Sequence, residues 1–136
     1  MRFRIAASAG VLALAATSSL FSAGSASALA TGGGCRAPYY ADGVNTQACI
    51  TYDGGNNIHA AAYTGDAVHN TIDLCIKIVN SGGGQMGPTT CRQVDAYYGS
   101  VVGPSITAPP GNYYGVAWFT SPTYYYAGES PAVNVS

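Results

Sequence analysis

Two histidines, His59 and His69, are the usual candidates for a general base, so nucleophilic catalysis would depend on them. Such catalysis needs a base beside the nucleophile and a third group that orients the base. Serines are plentiful, but the sequence contains no G-x-S-x-G motif. We expect His59 on a strand, on the face opposite Ile58, and His69 in a loop. The sequence therefore predicts that neither histidine is catalytic and that the protein is not an enzyme. The alternative is a small hydrolase, which would need His59 or His69 within hydrogen-bond reach of a carboxylate and a hydroxyl.

Carboxylates offer a second possible chemistry, because glycoside hydrolysis uses two acids held at a defined separation. Asp42, Asp53 and Asp66 each lie beside Gly or in a turn-rich setting. Short acidic side chains are common there because they hydrogen-bond to nearby backbone groups. We interpret these three residues as turn residues.

The segment 82–87 satisfies the spacing G-x-G-x-x-G and follows a predicted strand. The dinucleotide-binding fingerprint, however, needs a helix N-terminus that faces the pyrophosphate. Pro88 leads instead into a further strand, with no helical pattern. We predict a hairpin loop here and expect no cofactor.

Four cysteines, Cys35, Cys49, Cys75 and Cys91, predict two disulfides in an exported chain. Three connectivities are possible, and the sequential pairing is favoured because each pair then brackets a turn-rich stretch. A metal site is the rival interpretation. The sequence has no C-x-x-C, and its histidines do not stand at zinc-finger spacing, so we expect no metal.

Tyrosine clusters are the most unusual feature of the sequence, because nine of its eleven tyrosines stand in four short runs. Neighbouring residues on a strand point to opposite faces. In segment 112–119 the bulkier of the two alternating sets of side chains is expected to enter the core. This predicts that Tyr114, Val116 and Trp118 are buried, while Tyr113 and Phe119 face outward. A second sheet or a ligand could approach closely over the small residues between that outward pair.

The triplet at 124–126 follows the same rule, so Tyr125 is expected to point inward and its two neighbours outward. Outward tyrosines offer flat apolar surface with a hydroxyl group and lose little side-chain entropy on binding. The simpler interpretation is that cross-strand aromatic pairs only stabilise the sheet. As candidate binding residues the sequence gives Tyr113, Tyr124 and Tyr126.

The elements that position these side chains are predicted to be strands throughout. The clearest is 72–79, in which Ile and Leu alternate with Asp, Cys and Lys. Further strands are predicted at 48–52, 58–63, 91–98, 113–119 and 132–135, joined by Gly- and Pro-rich turns. Short strands at even spacing predict an all-β fold, a small antiparallel β-sandwich of Ig-like architecture.

Residues 1–30 are predicted to be a signal peptide, with Arg2 and Arg4 before an apolar run and a small-residue cleavage site. Residues 31–136 then form a single secreted domain. Three of the five Lys and Arg residues remain in that domain against all six Asp and Glu residues. Such a chain lacks the clustered cations that nucleic acid requires, so we expect no nucleic-acid partner. No later apolar run is long enough to cross a membrane, so no integral membrane association is expected.

The Ala-rich leader, the Ala, Gly and Thr bias and the closing segment 124–136 resemble small secreted β-rich proteins of actinobacteria, some of which are spore- or surface-associated. That resemblance implies an exported, disulfide-containing β-domain and no particular site residue. In size and cysteine count the chain is also similar to small secreted β-sandwich inhibitors of polysaccharide hydrolases, but it lacks their Trp-Arg-Tyr loop. We expect a non-enzymatic extracellular module whose tyrosines contact a cell-wall polysaccharide, a protein or another copy. The alternative is an inhibitor of a secreted hydrolase.

Overall fold

The computed structural model describes residues 31–65 and 68–136, so the predicted signal peptide and the predicted turn residue Asp66 lie outside the described residues. The described chain is all-β. Its strands are β1 Thr31–Gly32, β2 Gly34–Cys35, β3 Tyr39–Ala41, β4 Val44–Gly54, β5 Asn57–Gly65, β6 Thr71–Asn80, β7 Gln85–Asp95, β8 Ser100–Val102, β9 Ile106–Thr107, β10 Gly111–Thr120, β11 Tyr124–Glu129 and β12 Val133–Val135. No helix that could cross a membrane occurs among these residues.

The strands form two antiparallel six-stranded sheets. In sheet I the order is β1-β12-β10-β6-β7, and β11 pairs with the remaining length of β10. In sheet II the order is β2-β4-β5-β8, with β3 beside β4 and β9 beside β5. The sheets pack face to face, which confirms the predicted β-sandwich.

The core lies between the two sheets and is built from alternating strand residues. On β6 the apolar side chains Ile72, Leu74 and Ile76 are buried, whereas Asp73 is exposed. This is the pattern predicted for segment 72–79, since a strand turns alternate residues to opposite faces. Ile50 and Ile58 of sheet II complete the contact from the other side.

The predicted turns join neighbouring strands as hairpins. Asn56 has a positive φ of 63° in the turn between β4 and β5, where Asn is better tolerated than most residues. The G-x-G-x-x-G segment lies in the β6–β7 hairpin, as expected. The side chain of Asn80 accepts hydrogen bonds there from the backbone N–H groups of Gly82 and Gly84.

Both disulfides have the predicted sequential pairing, Cys35 with Cys49 and Cys75 with Cys91. Each joins two directly opposed residues on neighbouring strands. The bridges therefore tie β2 to β4 and β7 to β6 on the outer faces of the sandwich. In the chain-entropy description, closing a loop of such a length stabilises the fold by about 3 kcal/mol.

The face of β10 that packs in the core is opposite to the predicted one. Tyr113 and Phe119 are buried, with Tyr113 only 3% exposed, while Trp118 lies on the outer face and stays partly exposed. The small residues between that inward pair explain the reversal. A Cβ on Gly115 would lie 2.6 Å from the carbonyl oxygen of Cys49, so sheet II covers this face closely.

Candidate binding surface

Four of the six strands of sheet I, β7, β6, β10 and β11, form an outer surface whose side chains are aligned by the strand register. Two rows cross it from β7 through β6 and β10 to β11. The first row is Cys91, Cys75, Trp118 and Tyr126, and the second is Gln93, Asp73, Thr120 and Tyr124. The aromatic residues all occupy the β10–β11 side of these rows.

Four rings gather at this side of the face: Tyr39, Trp118, Tyr124 and Tyr126. We call these four residues the aromatic patch. Trp118 lies 6.5 Å from Tyr124 between ring centroids, and Tyr126 lies 6.1 Å from Tyr39 in an edge-to-face arrangement. Tyr39 belongs to β3 of sheet II, so the patch continues from one sheet to the edge of the other.

The sequence correctly predicted the direction of all three tyrosines in β11. Tyr124 is 59% exposed and Tyr126 is 42% exposed, whereas Tyr125 is half-buried and stacks on Phe119. Tyr113, the third predicted binding residue, does not belong to the surface. Its hydroxyl donates to the carbonyl oxygen of Pro109 at 2.6 Å, and its ring packs in the core.

Two members of the aromatic patch were missed by sequence reasoning. Trp118 was assigned to the core because of its size. The small residues Gly115 and Ala117 were the signal that the opposite face of β10 packs against a sheet. Tyr39 reaches Tyr126 only through the packing of β3 beside β11, and no local sequence pattern reports that contact.

Two cations lie against the rings of the aromatic patch. The ammonium group of Lys77 is 5.4 Å from the Trp118 ring centroid, and the guanidinium carbon of Arg36 is 5.0 Å from that of Tyr39. Cations are attracted to the faces of aromatic rings. Acids are present as well, since Asp73 shares a row with Tyr124 and Glu129 lies opposite Val116 on the same face. The surface therefore carries charges of both signs.

The surroundings of Tyr126 raise the pKa of its phenol. Partial burial raises the pKa of its phenol above the ordinary value of 10.0, and the nearby carboxylate of Glu129 raises the pKa further. Arg36 acts in the opposite direction, with a smaller effect. At neutral pH Tyr126 is thus a neutral phenol that can donate and accept hydrogen bonds.

A second cluster lies near the β7 corner of the same face, and we call His69, Asp95 and Tyr97 the His69 cluster. Nδ1 of His69 donates to Oδ2 of Asp95 at 2.8 Å, and the imidazole lies 4.5 Å from the Tyr97 ring. The backbone N–H of Tyr97 donates to the other oxygen of Asp95. The hydrogen bond from His69, followed by that from Tyr97, holds the pKa of Asp95 below its ordinary value.

The other histidine lies on the opposite sheet, as predicted on the face away from Ile58. His59 Nδ1 donates to Oδ1 of Asp53 at 2.6 Å, and the hydroxyl of Ser105 donates to Oδ2 at 2.5 Å. In a catalytic triad the histidine lies between the acid and the hydroxyl. Here the acid lies between the other two, so the Ser105 proton is directed to Asp53 and not to the imidazole.

Among the described residues, no group of three or more His, Cys, Asp or Glu side chains is arranged to hold a metal ion. A comparison with protein-family models finds no match, and searches of curated proteins and of solved structures find none either.

Proposed function

We propose that the protein is a non-catalytic extracellular module that binds polysaccharide through the aromatic patch. The observation that carries the proposal is the grouping of four partly or largely exposed rings on one sheet face, with Tyr124 and Tyr126 as the most exposed. Sugar rings present C–H groups on their faces and hydroxyls at their edges. An aromatic ring with a phenolic hydroxyl offers contacts to both.

The way the rings are mounted supports this proposal. Each ring stands on a strand that is paired with a neighbour, and β10, which carries Trp118, has strand partners on both sides. Little conformational entropy is then lost when a ligand binds, because the site is already formed. Trp118 and Tyr39 are held further by their contacts with Lys77 and Arg36.

The experiment is a pull-down on insoluble polysaccharides (cellulose, chitin, xylan and peptidoglycan) with the wild type and a Tyr124→Ala/Tyr126→Ala double variant. At about 1 kcal/mol for each ring, the double variant is expected to bind roughly thirtyfold more weakly. Tyr63→Ala is the matched control, because Tyr63 is 43% exposed on the outer face of sheet II.

Equal partitioning of the wild type and the double variant on every polysaccharide would refute the proposal. Self-association through the same rings is the competing outcome. It would appear as a wild-type dimer in sedimentation that the double variant lacks, without retention on any polysaccharide.

A further inference from the structure

We infer that the His69 cluster is a second subsite on the same face, and that the face binds one extended, neutral glycan chain running across the strands. This inference rests on the proposed function and specifies its ligand. The aromatic patch would hold one end of the chain and the His69 cluster the other.

The aromatic patch and the His69 cluster share the outer face of sheet I. Residues 71, 73 and 75 of β6 alternate with the buried Ile72 and Leu74, so they point outward. Asp95 lies opposite Thr71 and Gln93 lies opposite Asp73, so these two residues of β7 point outward as well. The carboxylate that orients His69 therefore belongs to the face that carries Trp118 and Tyr124.

The side chains between the two clusters are polar. The row from Tyr124 to Gln93 passes through Thr120 and Asp73. Nearby, the amide of Asn70 donates to the hydroxyl of Ser121 at 3.0 Å, which links the loop before β6 to the loop after β10. Gln93 stands two residues before Asp95 on the same face of β7, so this polar stretch leads from the aromatic patch to the His69 cluster and offers hydroxyl, amide and carboxylate groups.

The two clusters lie too far apart for a short ligand. Tyr124 on β11 and Asp95 on β7 are three interstrand steps apart and not in the same row, so they are separated by at least about 14 Å at the usual strand spacing. A disaccharide is too short to reach both clusters. A longer chain could stack on a ring at each end and place its hydroxyls along the polar side chains between them.

The charges favour a neutral ligand. Lys77 and Arg36 lie beside the aromatic patch, while Asp73, Asp95 and Glu129 lie on the same face or at its corner. A polyanion would meet these carboxylates, and a polycation would meet the two cations. A neutral chain avoids both costs, and its affinity should change little with salt concentration.

The test measures the dissociation constants of cellohexaose, chitohexaose, cellobiose and chitobiose, with hexagalacturonate as the anionic probe. We expect at least one neutral hexamer to bind tenfold or more tightly than its dimer, and more tightly than hexagalacturonate. Tyr97→Ala and His69→Ala should each weaken hexamer binding and so remove most of this length advantage. Tyr63→Ala should change neither.

Four outcomes would overturn the inference and leave the proposed function intact. Two concern the length advantage, which would persist in Tyr97→Ala and His69→Ala or be absent from the wild type. The other two are tighter binding of hexagalacturonate than of the neutral hexamers, and no binding of any hexamer although retention on an insoluble polysaccharide depends on Tyr124 and Tyr126. Loss of that dependence would refute the proposed function itself.

Discussion

Tyr125 stacks on Phe119 with 5.1 Å between the ring centroids and 21° between the ring planes. This pair joins β11 to β10 on the core side, while the tyrosines on either side of Tyr125 face outward. The triplet therefore combines a structural residue with two surface residues. Substitutions at adjacent positions should separate stability from binding.

Tyr125→Ala is expected to lower the free energy of unfolding by about 2 kcal/mol, because it removes a partly buried ring and an aromatic pair. Tyr124→Ala should change it by less than about 0.5 kcal/mol, as is usual for an exposed side chain. Urea denaturation of the two variants measures both values. Equal losses in the two variants would contradict the assigned directions.

The buried hydroxyl of Thr46 marks a position where a substitution should stabilise the fold. Thr46 is buried in β4, and its Oγ1 has no hydrogen-bond partner among the residues described. Valine has a similar shape and retains the β-branch, so Thr46→Val should raise the free energy of unfolding by about 1 kcal/mol. Thr51→Val, at an exposed position on the same strand, is the control. A destabilised Thr46→Val protein would show that the hydroxyl has a partner.

Much of this fold could be predicted from the sequence, because the patterns that indicate its strands and turns involve residues close together in the chain. The alternation in β6 reports one buried face directly, and the turn-rich stretch between each pair of cysteines favoured the disulfides that form. The direction of Tyr125 followed from strand geometry alone. These inferences required only neighbouring residues.

The candidate site was harder to predict because it depends on packing between distant segments. Bulk suggested that Trp118 is buried, but the close approach of sheet II at Gly115 decides which face of β10 points inward. His69 meets Asp95 across 26 residues, and Tyr39 meets Tyr126 across the junction of two sheets. Residue size does not determine which face of a strand is covered, and no local pattern records such contacts.

The raised pKa of Tyr126 should be detectable by following phenolate absorbance during alkaline titration, with Tyr126→Phe identifying its contribution. Glu129→Gln is expected to lower that pKa toward 10.0, because it removes the carboxylate that disfavours the phenolate. The burial of the ring, which is the larger cause, should keep the pKa above 10.0 in this variant. An unchanged pKa in Glu129→Gln would show that the carboxylate does not act on the phenol.

The lowered pKa of Asp95 predicts that the stability of the fold depends on pH in the acid range. In the folded state this carboxylate stays charged at pH values below its ordinary pKa of 3.8. The unfolded chain therefore takes up the proton first as the pH falls. The stabilisation from Asp95 is then present above about pH 3.8 and is lost as the pH falls through the folded-state pKa. Asp95→Asn should therefore have a lower melting temperature than the wild type near pH 5, and the difference should shrink below pH 3.8.

Asp42→Asn, which changes an exposed acid in the β3–β4 turn, controls for the loss of one charge. A difference between wild type and Asp95→Asn that stayed constant down to the acid transition would show that this carboxylate is not stabilised in its charged form by His69 and Tyr97.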